Sequence, residues 1–183
     1  IGMKTDEQLK ELQDLGVKIA YMGLESGDDQ VLKEIKKGAD SSKMIKMGKR
    51  LKKAGIKLSV TVIIGIAGRE RSKIHAMETG RVLSSIDPDF VGALSLMLTP
   101  GTELNDQYEK GEFELIRPEE MLEELGLMIA STNLSGGLFH ANHASNYLPI
   151  RVKLPEEKEQ TLELITQALK GNLALRPESM RAL

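Results

Sequence analysis

Two hydrophobic periods alternate along the chain. Leu9, Leu12 and Leu15 recur at helical spacing; Thr5 with Gln8 three positions on predicts a capping box before them, and Gly16 a stop after them. The segment 17–22, "VKIAYM", is short and apolar and predicts a strand. Residues 28–38 predict a short helix opened by Asp28 and closed by Gly38. Residues 41–55 predict a longer one with Met44, Ile45, Met47 and Leu51 on its apolar face. "IKLSVTVIIG" (56–65) is rich in β-branched residues and predicts a buried strand. A helix over 70–86, a turn at 87–89 and a third strand over 90–98 follow, the strand closed by Thr99, Pro100 and Gly101. Residues 117–131 predict a strong helix, with Pro118 and glutamates in its first turns. Leu138 to Ser145 reads as a strand or an extended loop, and 155–171 as a final helix.

Strands alternating with helices over these lengths predict an α/β fold of about three parallel strands joined by right-handed crossovers. In such folds ligands lie beyond the carboxyl ends of the strands. Three glycine-bearing strand ends fall there: "YMGLESGDDQ", "TVIIGIAGRE" and "SLMLTPGTEL". Glycine lets a backbone approach a ligand closely, and Glu25 and Ser26 offer acceptors and a donor. Turn chemistry alone explains any one of these ends; three in register point to a ligand site.

Composition narrows the classes. Over 183 residues the net charge is −2, with no long run of like charge, so no nucleic-acid or anionic-membrane footprint shows. The longest apolar stretch, near Val60 to Ala67, is too short to span a bilayer, and the expectation is a soluble cytoplasmic protein. There are no cysteines, so disulfides and thiolate metal sites are excluded within this chain. The sequence opens at Ile1 and runs almost at once into a helical pattern, as a piece of a longer protein would.

"YMGLESGDDQVLKEIKKG", "GIKLSVTVIIGIAGRE" and "LMLTPGTEL", in that order and spacing, resemble the carboxyl half of a radical S-adenosylmethionine enzyme. The group resembled includes anaerobic coproporphyrinogen oxidases and Elongator-like proteins; the later "FHANHASNYLP" resembles a branch described only as Fe–S oxidoreductases. The resemblance implies residues 1–105 as the last three strands of a six-stranded (β/α) barrel, with helices outside, and 106–183 as a carboxyl-terminal helical extension carrying a polar loop at 139–147. It implies S-adenosylmethionine and a [4Fe–4S] cluster in a full-length parent, with the cluster's CxxxCxxC ligands outside this chain. It also implies an electron donor, a 5′-deoxyadenosyl radical and hydrogen abstraction from an unknown substrate. Carried over residue by residue, Glu25 and Ser26 meet the cofactor, Lys37 lies near its carboxylate, Thr61 near its ribose, and Ile63 and Gly65 near its adenine. Against these stand plainer readings: Lys37 as a solvated helix-end lysine, Thr61 and Ile63 as buried strand residues.

The segment 139–147 concentrates His140, Asn142, His143 and Asn146, read as a substrate-contacting loop over the barrel mouth, with a structural hydrogen-bonding loop as the alternative. A metal site is not expected, because no carboxylate stands nearby. His75, on an amphipathic helix, reads as a surface or packing residue. A nucleophile elbow and a phosphate loop are both missing. Two other readings remain: a non-catalytic half-barrel acting with a partner chain, and a small α/β enzyme binding a phosphorylated metabolite at its strand ends. A half-barrel also predicts an exposed edge or apolar face through which the chain self-associates.

Overall fold

The computed structural model describes residues 4–182. Five strands form one sheet in the order β1-β2-β3-β4-β5: β1 Ile19–Glu25, β2 Lys57–Ile64, β3 Phe90–Ser95, β4 Leu138–Ala141 and β5 Ile150–Lys153. The first four run parallel, and β5 returns antiparallel against β4. The helices are α1 Asp6–Asp14, α2 Asp29–Glu34, α3 Ser41–Lys53, α4 Gly68–Ile86, α5 Glu103–Glu109, α6 Pro118–Ser131 and α7 Lys158–Leu169.

Local chemistry sets most boundaries. Thr5 and Gln8 form the reciprocal capping box at α1, Asp40 caps α3 through the Lys43 N–H, and Pro118 opens α6. Two expectations are corrected. The sheet has four parallel strands, not three, with a fifth antiparallel one, because the carboxyl-terminal part adds β4 and β5 to the same sheet besides its helices. The third strand also ends at Ser95, and a short helix, α5, follows the Thr99–Gly101 turn.

The strand order never reverses, and the covering helices lie on one side. That is the arc of a (β/α) barrel, not a doubly wound sheet. Burial alternates strictly along β2 and β3 and from Tyr21 onward in β1. Met22, Leu24, Leu58, Val60, Val62, Ile64, Val91, Ala93, Phe139, Ala141, Ile150 and Val152 point into the helix layer and are at most 5% exposed. The layer is tight enough to require glycine where α4 crosses α6: a Cβ on Gly80 would sit 2.6 Å from the Cβ of Ser131.

Among the described residues the other face carries no helix. Its positions fall into rows set by strand register. Tyr21, Ser59, Phe90, Leu138 and Lys153 form one row; Gly23, Thr61, Gly92, His140 and Arg151 form the next. All are half-buried or exposed, Tyr21 to 74%. This is the concave side of the arc.

Candidate functional site

The end of β1 sends consecutive residues to opposite faces. A register shift falls between Gly23 and Glu25, and Glu25 takes a left-handed φ of 65°, which few residues other than glycine adopt. Its carboxylate folds back over Gly23 and accepts from Lys37 Nζ at 3.0 Å. Any side chain on Gly23 would occupy the place of that carboxylate. Glu25 and Lys37 therefore form a partly exposed ion pair on the open face, above Thr61 and Ile63.

Ser26 goes the other way. It is fully buried, and its hydroxyl meets His75 Nδ1 at 2.7 Å while accepting the Asp28 N–H at 3.0 Å. Gly27 donates its N–H to Thr79 Oγ1 at 2.8 Å and lies so close to the α4 backbone at Glu78 that a Cβ has no room. Asp28 caps α2 through the Gln30 N–H and pairs with Arg71 at 2.8 Å. The hydroxyl between the two glycines thus locks the turn onto α4, and the carboxylate beside it is left facing the open side.

The end of β2 is held by the same buried group. Gly65, at φ 85°, donates its N–H to Glu124 Oε1 at 2.7 Å, and the other Glu124 oxygen accepts from Ser72. His75 Nε2 lies 3.4 Å from Glu124 Oε1, beyond a normal hydrogen bond, and has no partner among the described residues. Burial pushes the Glu124 carboxyl up to about 7 and the His75 imidazole down to about 4. At neutral pH this is a neutral imidazole against a carboxyl group, not an ion pair. Ser26, His75 and Glu124 mimic a nucleophilic triad in composition, but all three are at most 2% exposed and no substrate reaches them. Their work is positional: they tie the ends of β1 and β2 to α4 and α6. Of the two readings expected for His75, packing holds and surface does not, and Glu124 was not foreseen. The second of two adjacent glutamates, Glu123 and Glu124, inside the otherwise apolar run "MLEELGLMIA" was its only signal in the sequence.

The polar loop divides similarly. His140 stands on β4 in the open-face row. Asn142 is exposed beyond it. The His143 ring turns onto Ser145 Oγ at 3.0 Å. Asn146 is buried, donates to the Ala93 carbonyl and accepts from Ser95 Oγ, both at 2.9 Å. Its amide clamps the end of β3 and has no reach to a ligand. The carboxyl-terminal tail fixes this loop: Arg176 donates to the Ala144 and Asn146 carbonyls, and Arg181 stacks on Tyr147 while donating to the Ser145 and Leu96 carbonyls.

A cleft between α2, the start of α4 and α5 contains none of the expected site residues. Its cations are paired: Lys36 with Glu103, Arg69 with Glu114 and Glu120, Arg71 with Asp28. The amino terminus of α4 is likewise spoken for. The Arg69 N–H bonds the Glu114 carbonyl, and Phe113 covers Gly68. A phosphate at that glycine-rich strand end finds its donors already used.

Comparison with known proteins agrees with this geometry. Residues 1–78, which include the whole of β1 and β2, match the Radical SAM superfamily model. The amino-terminal part of this chain is similar to the radical SAM superfamily. Over 95 residues, 52% of this chain, it is 33% identical to an uncharacterized protein of Methanocaldococcus jannaschii, covering 29% of that protein. Over 121 residues, 65% of this chain, it is 27% identical to a tRNA uridine(34) acetyltransferase of Methanocaldococcus infernus, covering 22% of it. The fold matches that of the archaeal Methanocaldococcus infernus Elp3 with an amino-terminal deletion at a TM-score of 0.60 and 20% identity, across 97% of this chain and 40% of that one. The chain thus spans under a third of the curated relatives it matches, and its partial barrel shares the fold of that Elp3 structure.

Similarity to the radical SAM superfamily implies S-adenosylmethionine and an iron–sulfur cluster in the parent protein. The residues present do not fit the cluster: the chain has no cysteine, and among the described residues no group of three His, Asp or Glu side chains is placed to hold a metal. They do fit one wall of a polar ligand's site. The open face holds a Glu25–Lys37 pair, a Thr61 hydroxyl with no intramolecular partner among the described residues, and clear space above Gly92. No helix among the described residues is long and apolar enough to cross a membrane.

Proposed function

We propose that this chain is the carboxyl-terminal wall of a radical S-adenosylmethionine oxidoreductase. The observation that carries the reading is the convergence of Glu25, Lys37, Thr61 and Ile63 on the helix-free face of a partial barrel whose first two strands lie within the family match. When bound in the parent, the cofactor and cluster supply reductive cleavage of the sulfonium and hydrogen abstraction from a substrate. The contribution of this chain is positional. Glu25 and Lys37 present a carboxylate and an ammonium to the polar end of the cofactor, Thr61 a hydroxyl to its ribose, and Ile63 an apolar seat for its adenine. Ser26 and Gly65 act from behind, as anchors of the strand ends through His75 and Glu124, and not as direct contacts. The cluster ligands, the electron donor and the remaining strands come from outside this chain, which by itself does not turn over. A tRNA substrate, such as the name of the acetyltransferase relatives carries, has no support in the charge of this chain, and a small molecule is the reading retained.

The test is to sequence the coding region upstream of Ile1 and express the whole protein. Three cysteines spaced CxxxCxxC, and 5′-deoxyadenosine formed after cluster reconstitution, are the expected result. A start codon next to Ile1 with no cysteines would overturn the reading and leave a half-barrel that works by binding a partner chain.

A further inference from the structure

The open face continues past the family match, onto strands that no comparison assigns a role. In the row Gly23–Thr61–Gly92–His140–Arg151, four features coincide on β2 to β5. Arg151 sits opposite His140 in the antiparallel register, so their side chains leave the sheet about 5 Å apart on the same face. Arg151 is exposed and makes no hydrogen bond or ion pair among the described residues. His140 Nε2 is shielded from solvent and has no partner there either, although the residue itself is only half-buried. A ring nitrogen left unpaired in this way is a cost that a turn of the ring, bringing it onto a ligand at the open face, would remove. Beside His140 lies Gly92, where a Cβ would meet nothing within 4 Å, and beyond it the free hydroxyl of Thr61. The result is a polar stripe with a gap in its middle, a cation at one end and a hydroxyl at the other.

We infer that this stripe is a subsite for an anionic group, carboxylate or phosphate, of a small molecule: Arg151 and His140 hold the anion, and the molecule lies over Gly92 toward Thr61. The charge of the face agrees. Lys57 stands on it besides Arg151, Lys153 is paired with Glu156, and Glu25, one row nearer the strand ends, is engaged by Lys37. The neutral His140 ring is kept so by partial burial and by the adjacent guanidinium. An anion between the two would relieve that repulsion and let the ring donate. Arginine suits this place because its planar donors match a carboxylate or phosphate edge. The inference deepens the reading of the open face as the ligand side and rests on it, but it needs neither cluster nor S-adenosylmethionine for its test.

The experiment is an NMR titration of the histidine ring signals of this chain with inorganic phosphate and, separately, acetate, at constant ionic strength set by chloride. His75, sealed under α4, is the internal reference. A saturable shift confined to His140, with its imidazole pKa rising as anion binds, is expected from at least one anion. The responding anion tells a phosphorylated ligand from a carboxylate one. R151Q should weaken the response about tenfold or more, the loss expected for one charge-assisted hydrogen bond. K153Q should leave it within about twofold, since Lys153 is paired with Glu156. No response to either anion, or a response that survives R151Q, overturns the inference. Failure of cluster reconstitution in the parent would overturn the radical reading and leave this result standing.

Discussion

The two faces of the sheet use the same strands for opposite ends. Along β1, Met22 and Leu24 are sealed into the helix layer while Tyr21, Gly23 and Glu25 stand on a face with no helix over it. On the closed side polar groups are paired inward: Ser26 with His75, Gly65 and Ser72 with Glu124. On the open side they are left available: Thr61, His140 Nε2 and Arg151 have no partner among the described residues. The contrast teaches that the closed face fixes where the strand ends are, and the open face determines what they can meet. Substitutions on the two faces should therefore fail in different ways.

The largest separation is expected within β1. Leu24→Ala removes a fully buried side chain and should cost about 2–5 kcal/mol in chemical denaturation. Tyr21→Ala, three residues away, should stay within about 0.5 kcal/mol. Equal losses would mean that the open face is covered in solution, by a second copy of this chain or otherwise. Two glycines sharpen the point. Gly27→Ala drives a methyl into the α4 backbone and should cost about 1–3 kcal/mol. Gly92→Ala enters open space and should be neutral or stabilising by up to about 1 kcal/mol. It should nonetheless weaken the His140 response to anion, because the methyl fills the gap in the stripe.

The buried His75–Glu124 contact gives a pH test of the closed face. Glu124 titrates near 7 in the fold against 4.5 unfolded, so its contribution is present below pH 4.5 and lost as pH rises toward 7. His75 titrates near 4 against 6.5, so its contribution is present above pH 6.5 and lost as pH falls toward 4. Between pH 4.5 and 6.5 the two slopes oppose, and the intact protein should show little net dependence from this pair. Glu124→Gln leaves His75 alone, and stability should then rise with pH across that window by about 1 kcal/mol per unit. His75→Gln should make it fall by a similar amount. The slope is the readout, so a general loss of stability does not obscure it. A flat profile in both variants would mean that neither group is shifted.

The parts legible in the sequence were those with a local cause. The Thr5–Gln8 box, the Gly16 stop and the β-branched run from Lys57 to Ile64 announce themselves within a few residues, whereas the helix expected to run to Gly38 ends at Glu34, with Lys36 in the left-handed conformation. The strand Leu138–Ala141 was only half-visible, because four residues give too little alternation to separate a strand from a loop. Ile150–Lys153 was missed for the same reason, and Arg151 with it. Its exposed–buried alternation becomes meaningful only once β4 supplies a partner. Glu25 and Ser26 were found by motif, but the sequence cannot say that one faces a ligand side and the other the core. That division follows from the left-handed turn at Glu25 and from His75, which is 49 residues beyond Ser26. Glu124 illustrates the limit: it lies 59 residues from the Gly65 N–H it accepts, and only the packing of α6 on β2 brings them together.

The smallest effect on stability is expected where the effect on ligand should be greatest. The Glu25–Lys37 pair is about a quarter exposed on both sides, with side-chain exposures of 22% and 24%, so solvent screens it and its loss should cost under about 1 kcal/mol. Glu25→Gln and Lys37→Gln should therefore unfold at nearly the same denaturant concentration as the intact chain. If the pair is there to hold the strand end, the bulge and the left-handed turn would loosen and amide exchange at Glu25 and Ser26 would quicken in both variants. If it is there to meet a zwitterionic cofactor end, exchange should be unchanged. S-adenosylmethionine affinity, measured on the parent protein, should then fall about tenfold in each variant, the loss of one charge-assisted contact. A stability loss of several kcal/mol without any change in affinity would place Glu25 with Ser26, on the structural side of the sheet.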